Sequence, residues 1–189
     1  KLDLPDEDPD AKTQSVAQAI SHFPPLEAGE AHAVIPNHRA RRLSKINRQR
    51  LAAVRPGEQN TVLTDTEFGD LSLGCHTRLR KRSNGRSGFT DVYMRMDPTK
   101  PSPTITTKCD SISNGRFGHY DMDQLRGISL REAATLQSFP ESYVFYPENA
   151  ITPVARMIGN AVPPKLARFL ATWALQRLDL DYIKEMRSV

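Results

Sequence analysis

The chain has 189 residues, 38% of them hydrophobic and 14 of them proline, a length and composition that suit one loop-rich domain with a modest core. Its net charge is +4, no apolar run reaches the roughly 18 residues of a membrane span, and the charged N-terminus is unlike a signal peptide. The two cysteines, Cys75 and Cys109, exclude a disulfide framework and have no metal-ligand spacing, so we expect a cytoplasmic protein with no metal and no membrane partner.

The first segment, residues 1–37, is predicted to be an acidic linker followed by a short helix. Five of the 22 acidic residues lie among the first ten, so the rest of the chain is more basic than the total suggests. A basic excess fits a nucleic-acid partner, and a solvated basic surface is the ordinary alternative. Apolar residues on one helical face predict a helix from Ser15 to His22, which Pro24 and Pro25 end.

A second helix is predicted from Asn37, a favourable N-cap residue, to about Val54, because Pro56 and Gly57 follow. Two interpretations of its charge remain open: a solvated face, or a surface that contacts phosphate. A cluster of one sign is more easily tolerated beside a polyanion. The cluster has six basic residues and no acidic one: Arg39, Arg41, Arg42, Lys45, Arg48 and Arg50.

The stretch from about residue 60 to 120 is predicted to be irregular, with short strands at residues 61–63, 91–94 and 104–107. Between the first two strands, residues 78–88 form a basic loop rich in Gly, Ser and Asn. Such a loop can follow a groove and is attracted to phosphate, although an ordinary surface loop has the same composition. Its candidates for DNA binding are Arg78, Arg80, Arg82 and Arg86.

The C-terminal region is predicted to be helical. The segment from Ser129 to Glu132 has the capping-box pattern of a helix start, and Pro164 suits the first turn of a long final helix. Gly159 and Asn160 tolerate positive φ and predict a tight turn, which is either a plain joint or a small polar or anionic site. The final helix has apolar residues that indicate a core or an interface: Leu166, Phe169, Leu170, Trp173 and Leu178.

Two segments of this region carry a family resemblance. Residues 131–140 (REAATLQSFP) and 156–164 (RMIGNAVPP) closely resemble the last two conserved blocks of DNA cytosine-5 methyltransferases. The resemblance implies that the turn closes one side of an S-adenosylmethionine pocket, with Asn160 and Ala161 as cofactor-binding residues. It also implies an α+β fold. An irregular target-recognition lobe with short strands would join C-terminal helices that complete a Rossmann-like methyltransferase domain lying outside this chain.

The resemblance extends upstream through residues 93–95 (YMR), 103–106 (PTIT) and 115–119 (GRFGH), in the order that ends the target-recognition region of one bacterial branch. It implies double-stranded DNA as a partner. Thr104 would contact a phosphate near the target base, and Arg95 would contact phosphate or make a structural pair. Arg131 and Glu132 match positions that organise the recognition region. We therefore expect the recognition region at 38–125 and a segment returning to the cofactor domain at 126–189.

The catalytic parts of such an enzyme are missing from the sequence. The reaction needs a cysteine nucleophile after a proline, a glutamate at the cytosine ring and a Gly-rich turn for the methyl donor. Neither Cys75 nor Cys109 follows a proline, so we predict no catalytic residue and no activity for the chain alone. By family order, the chain is expected to be the C-terminal part of a restriction–modification methyltransferase that acts with a catalytic N-terminal half. A cut piece, a natural small subunit and a degenerate remnant stay open as its origin.

A non-catalytic DNA-binding module is the competing class of function. It predicts salt-dependent duplex binding that does not depend on a partner chain. The final helix distinguishes the two classes. If Trp173 and its apolar neighbours pack on a catalytic half, the isolated chain should expose an apolar patch and self-associate. A self-sufficient chain should cover these residues itself.

Overall fold

The structure is a computed structural model that describes residues 12–75, 78 and 90–177. None of the helices in these ranges is long and apolar enough to cross a membrane. The described elements comprise five α-helices and two short 3₁₀ turns. The helices are α1 (Val16–Ile20), α2 (Lys45–Ala53), α3 (Leu130–Leu136), α4 (Ile151–Asn160) and α5 (Pro164–Arg177), and the 3₁₀ turns are Asn60–Thr64 and Ile112–Asn114.

The short strands expected at residues 61–63, 91–94 and 104–107 are absent from the described part of the chain, where only isolated bridges occur. The first of these pieces is a 3₁₀ turn instead. The second is interrupted at Tyr93, whose φ of 63° breaks an extended chain, and it pairs only through Arg95 with Gly118. The described residues therefore form the helices of the predicted α+β fold but not its strands. Packing against the helices has overridden the β propensity of these residues.

Two hydrophobic clusters hold these elements together. The first joins α1, α3 and α4, and it includes Val16, Ile105 and Ile158. Because these residues come from all three segments of the predicted domain division, that core ties the segments together. The second cluster lies under α2 and the 3₁₀ turn that follows it, around Leu51 and Leu63. The boundaries at 37/38 and 125/126 stay predictions.

The start of α3 follows the sequence prediction closely. The Ser129 hydroxyl accepts from the Glu132 N–H at 3.1 Å, and the Glu132 carboxylate accepts from the Ser129 N–H at 2.6 Å. This is a complete capping box, which satisfies two backbone donors that a helix start leaves free. A second capping box, between Ser15 and Gln18, starts α1. The helix predicted over residues 15–22 is therefore confirmed, with narrower limits.

The predicted start of α2 at Asn37 is wrong, because the helix begins at Lys45 with Ser44 as its N-cap. Asn37 instead has a φ of 60° and is buried. Its amide nitrogen donates to the Phe145 carbonyl at 3.0 Å, and its amide oxygen accepts from the Phe145 N–H at 2.8 Å. Its own carbonyl accepts from the Arg131 N–H at 2.9 Å. Asn37 thus joins the segment before α2 to α3 and to the loop after it, in a conformation that asparagine tolerates.

Candidate functional site

Helix α4 has one buried and one exposed face, and the exposed face is the candidate site. Val154, Ala155 and Ile158 are buried in the first cluster. The opposite face borders a groove of about 350 Å³ that is lined by Thr152, Pro153, Arg156, Met157 and Asn160. Met157 is 45% exposed, so the groove offers an apolar thioether beside charged and amide groups. A mixed lining of this kind suits a small molecule with both polar and apolar parts.

The tight turn predicted at Gly159 and Asn160 is wrong, because these two residues end α4. Gly159 is needed there for a different reason. A Cβ at this position would overlap the backbone carbonyl group of Thr106 and the backbone nitrogen of Thr107. The helix end therefore packs directly on the peptide group between these threonines, an approach that only glycine permits.

The segment on the other side of this contact alternates between buried and exposed residues. Ile105 is 5% exposed and belongs to the first cluster, whereas Thr104 and Thr106 are exposed. The side chain of Ile105 thus fixes the segment while the Thr104 hydroxyl remains accessible to a ligand. Asn160 is also exposed, and Ala161 is partly buried, with its N–H donating to the Ile158 carbonyl at 3.3 Å.

The beginning of α4 is held by two arginines that sequence analysis had assigned to a basic helix. Arg41 forms an ion pair with the buried carboxylate of Asp110 and donates to the Thr152 hydroxyl at 2.8 Å. Arg39 donates to the Asn149 amide oxygen at 3.0 Å. These arginines lie before α2 and stabilise the fold. They connect the segment before α2 to the start of α4.

Within α2 itself, Arg50 is also committed to the fold. It is buried, donates to the Leu71 carbonyl at 3.0 Å and lies over the Tyr93 ring at 4.6 Å from its centroid. Three of the six clustered basic side chains remain exposed and could face a polyanion: Arg42, Lys45 and Arg48. The basic surface predicted from the sequence is therefore about half as large in the structure.

The DNA-contact prediction for Arg95 is wrong, because its side chain is completely buried. The guanidinium donates to backbone carbonyls of several residues, among them Leu51 at 3.0 Å, His119 at 2.7 Å and Gln124 at 3.1 Å. Burial lowers its pKa to about 10. The N–H groups of Arg95 are thus directed at backbone carbonyls of the same chain. The alternative prediction for this residue, a structural contact, describes its position.

The buried ion pair between Arg126 and Glu132 was not predicted from the sequence. Arg126 donates to both oxygens of Glu132 at 2.7 Å, and both residues are buried. Burial alone opposes the charge of Glu132, but the bonds from Arg126 outweigh it and hold the pKa of the carboxyl below its ordinary value. His119 lies 3.6 Å from the same carboxylate, and burial lowers its pKa to about 4.

Arg131 makes structural contacts, while the role of organising the recognition region stays a prediction. Its guanidinium donates to the Pro36 carbonyl at 3.0 Å and to the Tyr143 carbonyl at 2.7 Å. It is fully buried, and burial lowers its pKa.

Of the four arginines predicted in the basic loop, Arg78 is exposed. Arg80, Arg82 and Arg86 lie outside the described residues.

Helix α5 exposes apolar residues along one side. Leu166 is 47% and Leu170 is 39% exposed, and Val162, which precedes the helix, is 60% exposed. Leu166 and Leu170 are four residues apart and therefore form one stripe on the helix, and Val162 lies in the segment just before it. Trp173 is partly buried. An apolar stripe of this kind is typical of a surface that a further polypeptide covers.

Comparisons with known proteins agree with these features. Type II methylase M.HgiDII of Herpetosiphon aurantiacus is 46% identical over 136 residues, which cover 71% of this chain and 35% of that protein. Type II methyltransferase M1.HphI of Haemophilus parahaemolyticus is 31% identical over 162 residues, 86% of this chain and 37% of that protein. DNA (cytosine-5)-methyltransferase 3 of Arabidopsis thaliana is 31% identical over 186 residues, 89% of this chain and 13% of that protein.

The chain thus spans little more than a third of the two bacterial relatives and a smaller share of the plant one. The family model for C-5 cytosine-specific DNA methylases matches residues 11–175. That range includes α1 to α4 and most of α5, and therefore both the groove beside Asn160 and the segment around Thr104. The chain belongs to the C-5 cytosine-specific DNA methylase family.

Proposed function

We propose that this chain supplies DNA recognition and one wall of the cofactor pocket in a DNA cytosine-5 methyltransferase. The observation that carries the proposal is the packing of Gly159 on the peptide group between Thr106 and Thr107. One residue beyond Gly159 is the exposed amide of Asn160, and two residues before Thr106 is the exposed hydroxyl of Thr104. Candidate groups for cofactor and DNA are therefore attached to one rigid joint.

The residues around Asn160 fit one side of S-adenosylmethionine. The Asn160 amide can donate and accept hydrogen bonds, and the exposed thioether of Met157 offers a soft apolar contact. When bound, S-adenosylmethionine supplies the methyl group. The contribution of this chain is to hold polar and apolar parts of the cofactor against α4. The rest of the pocket would come from the catalytic half.

On the DNA side, the proposed task is to keep the duplex in place while the target cytosine leaves the stack. Base flipping costs a few kcal/mol, which protein–phosphate contacts offset in part. A hydroxyl at Thr104 is small enough to approach a backbone oxygen, and buried Ile105 holds it in position. Exposed Arg78, Arg42, Lys45 and Arg48 add positive charge. Arg80, Arg82 and Arg86 stay proposals from the sequence.

The thiols support a catalytic nucleophile outside this chain. Cys109 is buried, and burial raises its pKa to about 12, so that its thiolate is negligible at neutral pH. Cys75 is exposed, without the preceding proline of the family's nucleophile. The exposed stripe of α5 supports the same conclusion, since a catalytic half would cover it. We propose such a half as the partner, within a bacterial restriction–modification system.

The test is methyl transfer from labelled S-adenosylmethionine to unmethylated duplex DNA. The chain is assayed alone, and then in a chimera in which it replaces the matching 136 residues of M.HgiDII. We expect activity from the chimera, none from the chain, and a large loss from the chimera with Asn160→Ala. Activity from the chain alone would overturn the proposed division of labour. An inactive chimera, together with salt-sensitive duplex binding by the chain, would favour the stand-alone DNA-binding module.

A further inference from the structure

A second cavity, of about 270 Å³, lies between the N-terminal segment, the end of α3 and the start of α5. It shares no lining residue with the groove beside Asn160. No acidic side chain lines it within the part of the chain that the structure describes. Its polar lining consists of two lysines, three hydroxyl residues and one amide: Lys12, Lys165, Ser102, Thr135, Ser138 and Gln14.

Two lysines contribute positive charge to this cavity. Neither Lys12 nor Lys165 forms an ion pair among residues 12–75, 78 and 90–177, and both line the same small space. An anion in this space would be attracted by both lysines. The positive end of the 14-residue helix α5 starts at the same place, one residue before Lys165.

Two of the hydroxyl residues offer donors, whereas the Ser102 hydroxyl already donates to the Pro103 carbonyl at 2.8 Å. The Ser138 hydroxyl accepts from the Lys165 N–H at 3.1 Å, which leaves its own proton available to donate. The Thr135 hydroxyl oxygen is buried and has no hydrogen-bond partner among the residues that the structure describes. Buried hydroxyls without partners are uncommon and call for an explanation. Cationic groups combined with hydroxyl donors are the usual composition of a phosphate site.

We propose that this cavity binds a phosphate group. Ser102 in its lining lies two residues before Thr104, a distance of about 7 Å at most along the chain. A DNA strand that contacts Thr104 would therefore bring a neighbouring phosphate close to the cavity. DNA as the source of the phosphate rests on the proposed function, whereas the preference of the cavity for phosphate does not. Inorganic phosphate is the other source.

The first measurement is a calorimetric titration of the whole chain with inorganic phosphate. We expect Lys165→Gln and, separately, Lys12→Gln to weaken binding about tenfold or more, and Lys165→Arg to retain it. Lys45→Gln is the matched control, because it removes the same charge from α2, which packs on the other hydrophobic cluster. Circular dichroism confirms that each variant is folded. Absence of phosphate binding, or equal affinity in all variants, would overturn the proposal.

The second measurement identifies the source of the phosphate. Duplex affinity is measured as a function of salt, where each lost phosphate contact lowers the slope of log K against log salt by about 0.9. A lower slope in both Lys12→Gln and Lys165→Gln supports a DNA phosphate. An unchanged slope with impaired phosphate binding assigns the cavity to a free phosphate group. Neither measurement depends on methyl transfer. A negative result for phosphate binding is therefore distinct from a negative result for the proposed function.

Discussion

Gly159 packs on the backbone of Thr106 without any side chain between them, and this contact joins the end of α4 to the segment that carries Thr104. Each side of the joint is fixed independently. Ile158 anchors α4 in the first hydrophobic cluster, and Ile105 anchors the threonine segment in the same cluster. Because both anchors are buried, Asn160 and Thr104 are held in a constant relation to each other.

We predict that Gly159→Ala destabilises the chain by about 2 kcal/mol or more. Alanine favours a helix over glycine by about 1 kcal/mol, but its Cβ would overlap backbone atoms that cannot rotate away. Urea unfolding measures the change. Gly74→Ala is the matched control, since a Cβ at Gly74 has no neighbour within 4 Å among the described residues. Equal stability of the two variants would show that the helix end does not rest on Thr106.

The buried ion pair provides a second prediction, for Glu132→Gln. Loss of the carboxylate leaves the Arg126 guanidinium buried without a counter-charge, and we expect a loss of about 3–5 kcal/mol in the free energy of unfolding. The control replaces both partners with apolar residues, as Arg126→Met with Glu132→Leu. This double variant should be more stable than Glu132→Gln, because no unpaired charge remains. A double variant that is the less stable would contradict the ion-pair explanation.

Sequence analysis was most accurate where local chemistry decides the structure. Ser129 and Glu132 cap a helix through neighbouring atoms, so the pattern alone predicted the start of α3. It was wrong at Asn37 and Arg95, whose partners lie far along the chain. The Phe145 backbone that binds Asn37 is 108 residues away, and the Leu51 carbonyl that binds Arg95 is 44 residues away. Distant partners of this kind leave no signal in local spacing.

The family resemblance identified the importance of Gly159 but not its physical reason. Positive φ and close approach both favour glycine, and the sequence does not distinguish them. In the structure, the residue is helical and the close approach to Thr106 is what requires it. The family membership is confirmed, whereas the roles of Asn160, Ala161 and Thr104 stay predictions.

The pH dependence of stability should reflect His119. Burial lowers its folded pKa to about 4, below the ordinary value of 6.5, so between these values the unfolded chain binds a proton that the folded chain does not. The neutral ring therefore makes its whole contribution to the free energy of unfolding above pH 6.5. This contribution is lost as the pH falls from 6.5 towards 4. The loss is up to about 3 kcal/mol, at about 1.4 kcal/mol for each pKa unit. Glu132, whose pKa is also lowered, would add a loss at more acidic pH.

Urea unfolding between pH 7 and pH 4.5 measures this dependence. We expect His119→Asn to be less stable than the original chain at pH 7 but to lose less stability on acidification. Burial also lowers the pKa of His38. The His119→Asn variant should therefore keep the part of the pH dependence of stability that His38 causes. An unchanged slope in His119→Asn would assign the acid sensitivity to other groups.

The exposed stripe of α5 provides the last prediction. Leu166→Glu combined with Leu170→Glu should leave the stability of the isolated chain within about 0.5 kcal/mol for each substitution, because both side chains are exposed. The same change should reduce self-association in sedimentation velocity, since charge replaces the apolar stripe. In the M.HgiDII chimera it should abolish methyl transfer, because the stripe would no longer pack on the catalytic part. Thr172→Glu is the matched control, an exposed polar position of the same helix. If the double variant remains active in the chimera, α5 does not dock through this stripe.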